Sequence, residues 1–414
     1  MLGSPERWAI MLQTAEDLGA ARTALRASRE RRLTRLAYAA MVVLGVNVGW
    51  LGPFLPQLSH TINASLDRTG LILSAIAAGY FIALPAAGEI GHRRGPHFLL
   101  ILTMGLDAIG LLLLAVAPTL ASCVCAAVVI GFGQCGIDVA GNALVADLNR
   151  DRLAATLNYL HMMFGVGATL GPAIDGFALT NHIGYGPIFM GGTAVSAAIG
   201  AALWLTPRVE FVRAIEGKES LRALLVHPLI WAISAVLFLY VGAEVGIGAW
   251  LYAYLRRAAV PLAISSASAA VSVYWAGLIV GRLLSGAIAH RISARRLAAL
   301  GAIVSAMALL AFVGTSSVPM LAYPVVALIG FGFGPIFPNM IAVGAERFPT
   351  RVASMTSIVA GGAALGGVAL PWAMGVMLVA RGRVASIGTA LLATIAMLGV
   401  LIGIDLREKR PASP

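Results

Sequence analysis

Twelve apolar runs, each near twenty residues or longer, recur along this chain with only short polar or basic segments between them. A helix needs about 20 consecutive apolar residues to cross the hydrocarbon of a bilayer, so each run is long enough for one crossing. Spans 1 to 12 read as about 36–58, 69–90, 97–117, 121–147, 153–176, 186–206, 227–253, 264–288, 297–315, 319–343, 352–378 and 384–404. Charged residues are only 11% of the 414 and hydrophobic ones 59%, a balance that would leave a soluble domain covered in apolar patches. The expected fold class is an all-α membrane protein of twelve transmembrane helices.

The net charge of +11 does not point to nucleic acid, because the charges are sorted by side. With the N-terminus inside, only Arg68, Arg256, Arg257, Arg381 and Arg383 of the 29 Lys and Arg fall on the outer side. That asymmetry predicts an inner (plasma) membrane protein with both termini cytoplasmic. Residues 1–34 read as a cytoplasmic tail, since the first long apolar run begins too late for a cleaved signal. Trp8, Met11, Leu12, Ala15 and Leu18 at helical spacing also fit an amphipathic helix lying on the membrane. The three cysteines, Cys123, Cys125 and Cys135, share one span and read as packing residues, not disulfide partners.

The chain repeats itself. Ile130-Gly-Phe-Gly133 returns as Ile329-Gly-Phe-Gly332, and Gly88-x-x-x-His92-Arg93 returns as Gly286-x-x-x-His290-Arg291, at offsets of 199 and 198. Two unrelated motifs at nearly one offset indicate duplication of a six-span unit. An even number of spans gives both copies the same orientation, so the repeats are parallel. The polar stretch 207–226, with Arg208, Glu210, Arg213, Glu216, Lys218, Glu219 and Arg222, reads as a cytoplasmic linker. It separates an N-terminal bundle at 35–206 from a C-terminal one at 227–405, and 406–414 reads as a short tail.

Span 4 carries Gln134, Asp138 and Asn142 at i, i+4 and i+8, one polar stripe on an apolar cylinder. An ionisable residue at such a depth costs roughly 2.5–3.5 kcal/mol, and such residues usually line a substrate or ion path. Asp138 is therefore a candidate proton carrier, and Glu244 in span 7 its counterpart, with Tyr240 one turn earlier. A carboxylate hydrogen-bonded to a neighbouring helix is the plainer reading of either. His161 shares a helix face with Asn158 in span 5; Asn47, Asn339 and Trp275 complete the candidate solute contacts. Asp107 and Asp175 read as structural or interfacial. The runs Gly165–Pro172 and Gly361–Gly367 read as close-packing surfaces, and Pro53, Pro56, Pro335 and Pro338 as kinks.

Taken together the chain resembles the major facilitator superfamily over all twelve spans. The turn after span 2 is similar to its signature loop, matching at Gly88, Arg93 and Gly95, with His92 and His290 where the family has Asp. The resemblance implies a gating role for Gly88, Arg93 and Arg291. Tyr240-Val-Gly-Ala-Glu244, and Gly136-Ile-Asp138 followed by Asn142, resemble the fucose-permease-like group of proton-linked sugar symporters. Asn47 stands where that group has an Asp. The resemblance implies a central sugar cavity, proton-coupled symport and alternating access. The alternative is a proton-coupled efflux antiporter for amphiphilic compounds, whose cavities tend to be more aromatic. The expected partners are a small solute, H+ (or Na+) and the bilayer. No cofactor, metal or nucleic acid is implied, and a monomer suffices. HExxH, nucleophile-elbow and phosphate-loop motifs are absent, which argues against an enzyme.

Overall fold

A backbone inside hydrocarbon has no water to bond to and must satisfy itself, so the apolar runs become helices. The computed structural model describes residues 5–149, 152–207, 224–348 and 351–408. Most of the expected linker lies outside these residues. Among the described residues every regular element is helical.

The chain enters on one long helix, Pro5–Gly49, which breaks at Trp50 and resumes as Leu51–Thr61 after a 52° bend. Pro53 accounts for the break, since its ring displaces the carbonyl of Gly49 four residues earlier and offers no N–H in return. The tail expected over 1–34 is thus helical from Pro5 and continuous with span 1. Residues 20–35 are rich in Ala, Leu and Arg, all good helix formers. An Arg26–Glu30 ion pair at 2.9 Å reinforces the same stretch one turn apart.

The next spans are Leu71–Arg94, Pro96–Ala115, Leu120–Leu148, Leu153–Thr180 and Tyr185–Trp204. In the second half follow Pro228–Arg256, Ile264–Ile288 and Ala294–Gly314. Span 10 is broken at Gly334-Pro335 into Ala322–Phe333 and Ile336–Arg347, as its prolines lead one to expect. Spans 11 and 12 lie within the helical stretch Val352–Glu408, which departs from helical geometry at Gly382, with φ 81° and ψ −176°. Only glycine adopts that conformation readily. The Ser386 hydroxyl donates to the carbonyl of Met374 at 2.5 Å, whereas twelve residues of straight helix would hold them about 18 Å apart. The chain therefore doubles back near Gly382, which gives twelve spans among the described residues.

Duplication is visible in the packing. Span 1 lies on span 5, span 2 on span 4, and span 3 on spans 4 and 6; span 8 lies on span 10 and span 9 on span 10, while Arg383 at the start of span 12 donates to the Val313 carbonyl of span 9 at 2.7 Å. Gly366 of span 11 presses on the carbonyl of Phe238 in span 7, completing the match. The repeat motif explains itself here. Gly131 abuts the carbonyl of Ile76, and Gly330 abuts that of Tyr274, with no room for a Cβ at either.

The halves meet along spans 2 and 11 and along spans 5 and 8. Toward the face opposite the basic turns they are joined by Gly52 on Ala249, Gly70 on the Trp250 ring, and the Ser74 hydroxyl donating to the Val368 carbonyl at 2.8 Å. Nearer the basic turns Asn158, Tyr159 and His161 of span 5 are exposed.

Candidate functional site

The span 4 stripe forms as the spacing demands. One oxygen of Asp138 accepts from the Asn142 amide at 2.8 Å, and that amide also reaches the Asp138 backbone carbonyl at 2.9 Å. The other oxygen accepts from the Tyr80 hydroxyl of span 2 at 2.7 Å. Both carboxylate oxygens thus have a fixed donor while the residue stays only half-buried. Gln134, one turn away, is buried, and its amide nitrogen has no partner.

The second half supplies a matching group. Glu244 pairs with Arg282 of span 8 at 3.5 Å, and Arg282 also donates to the Tyr240 hydroxyl at 3.4 Å and the Gly334 carbonyl at 3.3 Å. The Tyr240 hydroxyl lies one turn before Glu244, within electrostatic reach of its carboxylate. Tyr274 donates to the Glu244 backbone carbonyl at 2.8 Å. A buried charge is tolerated when an opposite charge and hydrogen bonds compensate it. Arg282 provides the opposite charge for Glu244.

His161 stands between the two groups. Exposed on span 5, it lies within electrostatic reach of both Asp138 and Arg282, and Asn158 shares its exposure one turn earlier. Trp275 is 2% exposed and packs edge-to-face on Phe164 of span 5 at 6.5 Å between ring centres. Its ring also contacts Gly248, one turn beyond Glu244, and its indole N–H has no partner.

Two of the expected solute contacts make hydrogen bonds within their own half. The Asn47 amide donates to Asp107 at 2.8 Å, and the second oxygen of Asp107 accepts from Ser196 at 2.7 Å, a buried network tying spans 1, 3 and 6. Asn339 donates to Ser285 at 2.8 Å and to the Pro335 carbonyl at 2.6 Å, fastening span 10 to span 8. Both amides are buried and direct their donors to partners within one half. In the signature turn Arg93 pairs with Glu89 of its own helix, and Arg291 donates to His290 at 3.0 Å. Gly88 has open space around it. These bonds are local and do not cross between the halves.

Sequence reasoning missed Tyr80 and Arg282. Arg282 has a usable signal, since six more residues of span 8 follow it before the helix ends, which puts it inside the span and not among the cytoplasmic positives. Tyr80 carries no charge, and only geometry pairs it with Asp138.

A family model described as Major Facilitator Superfamily matches residues 37–371 and 262–414. The chain is similar to Bypass of stop codon protein 6 of Saccharomyces cerevisiae, 26% identical over 81% of this chain and 75% of that protein. It is also similar to Sodium-dependent glucose transporter 1A of Mus musculus, 23% identical over 82% of this chain and 88% of that one. Among solved structures, that of the nucleoside transporter NupG superposes with a TM-score of 0.74 at 11% identity, covering 91% of this chain and 99% of that one.

Proposed function

The chain belongs to the Major Facilitator Superfamily, and from that premise we propose that it carries a small polyhydroxylated solute, a sugar, by proton-coupled symport with alternating access. The observation that carries this reading is the pair of polar groups, Asp138–Tyr80–Asn142 and Glu244–Arg282–Tyr240, contributed by opposite halves with His161 between them. A sugar offers hydroxyls that both donate and accept. Carboxylates accept from them, and the guanidinium and amides donate. Gln134 and Trp275 add two buried N–H groups without partners; each costs about 1–3 kcal/mol while unmet, which favours a ligand that meets them. The name of the mouse relative supports a hexose. It also makes sodium the rival coupling ion.

The coupling logic is electrostatic. An ionised Asp138 resists enclosure in low dielectric, whereas its protonated form lets the loaded cavity close. Positive charge on the basic turns supports a cytoplasmic position for that side; on this reading the form described here is joined at its outer face. A panel of hexoses, pentoses and nucleosides in counterflow with purified protein in liposomes tests the substrate class. Accelerated exchange of one hexose, lost in Trp275→Ala, is expected; exchange of amphiphilic cations alone overturns the reading.

A further inference from the structure

Asp175 belongs to neither polar group. It lies in span 5 toward the face opposite the basic turns, is 0% exposed, and neither of its carboxylate oxygens has a hydrogen-bond partner. Leaving an ionised carboxylate in that condition costs several kcal/mol, so something must neutralise it. The neighbouring span 7 does not do so. Its Tyr252 lies within electrostatic reach of Asp175, but neither carboxylate oxygen accepts a bond from it. Arg256 donates to the Leu262 carbonyl at 2.6 Å and to neither Asp175 oxygen.

Two hydroxyls of the other half lie near this level of span 5. Gly176, next to Asp175, packs on Ser268 of span 8 so tightly that a Cβ there would sit 2.8 Å from the Ser268 Cβ. Ser268 is 0% exposed, and its hydroxyl has no partner. One turn along the same helix the Ser272 hydroxyl is buried and equally unmet. Carboxylate and hydroxyl oxygens suit a hard cation, and a single carboxylate balances one positive charge. Among the described residues no cluster of His, Cys, Asp and Glu competes as a metal site.

We propose that Asp175, Ser268 and Ser272 form a site for one monovalent cation, a sodium ion or a proton, at the seam between the halves. Span 5 belongs to one half and span 8 to the other, so rocking the halves apart at this face separates the carboxylate from its hydroxyls. The ion is held in the form joined there and released as that face opens. A ligand that binds one form better shifts the balance toward it, and this site does so without touching the solute.

Thermal unfolding of the purified full-length protein tests the site, with sodium chloride replacing choline chloride at constant ionic strength, at acid and at alkaline pH. Sodium occupancy predicts that added sodium raises the Tm of wild type, that Asp175→Asn loses the rise, and that Ser268→Ala needs about tenfold more sodium for half the effect. Proton occupancy predicts no sodium response but an acid-induced rise in wild type that Asp175→Asn loses and Ser268→Ala blunts. Wild type and Asp175→Asn responding alike to both ions overturns the proposal. Should Asp175→Asn fail to fold, a Ser268→Ala protein that titrates like wild type overturns it as well. The readout uses no solute, so it stands or fails apart from the sugar reading.

Discussion

Arg282 and Glu244 are the pair on which the second polar group depends. Removing the arginine alone strands a buried carboxylate, a change that typically costs about 3–5 kcal/mol, whereas neutralising both partners is far milder. Arg282→Gln should therefore lower the Tm more than Arg282→Gln with Glu244→Gln, and equal losses in the two would refute the pairing. Asn47 makes the opposite test. Its bond to Asp107 is internal to one half, so Asn47→Ala is expected to cost about 1–3 kcal/mol of stability while leaving the KM for solute unchanged; a raised KM at undiminished stability would return Asn47 to the cavity. A third residue speaks to pH. At the mouth of span 7, His227 accepts from the Leu229 N–H at 3.2 Å, and burial, with the nearby Arg347, lowers its pKa. The unfolded chain then binds the proton more readily, so this contribution is present above the ordinary imidazole value of about 6.5 and is lost as pH falls below it. His227→Asn should flatten that part of a Tm-against-pH curve.

At the scale of elements, glycine and proline decide how the spans pack and bend. Gly131 and Gly330 let span 4 meet span 2 and span 10 meet span 8 at backbone contact. Gly131→Val or Gly330→Val should each cost about 1–3 kcal/mol or more by overpacking, seen as lost yield of monodisperse protein; normal yield from both would mean the close approach is dispensable. The twelve spans were legible because a bilayer imposes one length on every crossing, and the bends at Pro53 and Pro335 because proline cannot complete a helix. The repeat was legible for the same reason, since the Gly motif that recurs is the contact that recurs. Side-chain partners were not. Asp138 announced itself by its cost in an apolar span, but whether Asn47 faces the cavity or Asp107 depends on helix rotation, which periodicity leaves open. Arg282 and Tyr80 were hidden for the same reason.

At the scale of the molecule, the halves touch at one face and leave span 5 exposed toward the other, and transport requires that arrangement to invert. Gly367 and Ala77 oppose one another across the seam of spans 11 and 2, a Cβ at Gly367 falling 3.4 Å from that of Ala77, close to disulfide geometry. With Cys123, Cys125 and Cys135 replaced by Ser, oxidation of an Ala77→Cys, Gly367→Cys protein should stop transport and reductant should restore it; transport through the cross-linked protein would exclude rocking at this seam. The central claim joins the cavity to the coupling ion through Asp138. It is tested most directly by proton movement into liposomes on addition of the transported hexose, with wild type and Asp138→Asn measured side by side under matched sodium. The account predicts solute-driven proton uptake by wild type and none by Asp138→Asn, which should still exchange solute downhill. Equal proton uptake by the two proteins, or solute accumulation driven by sodium alone, would contradict it.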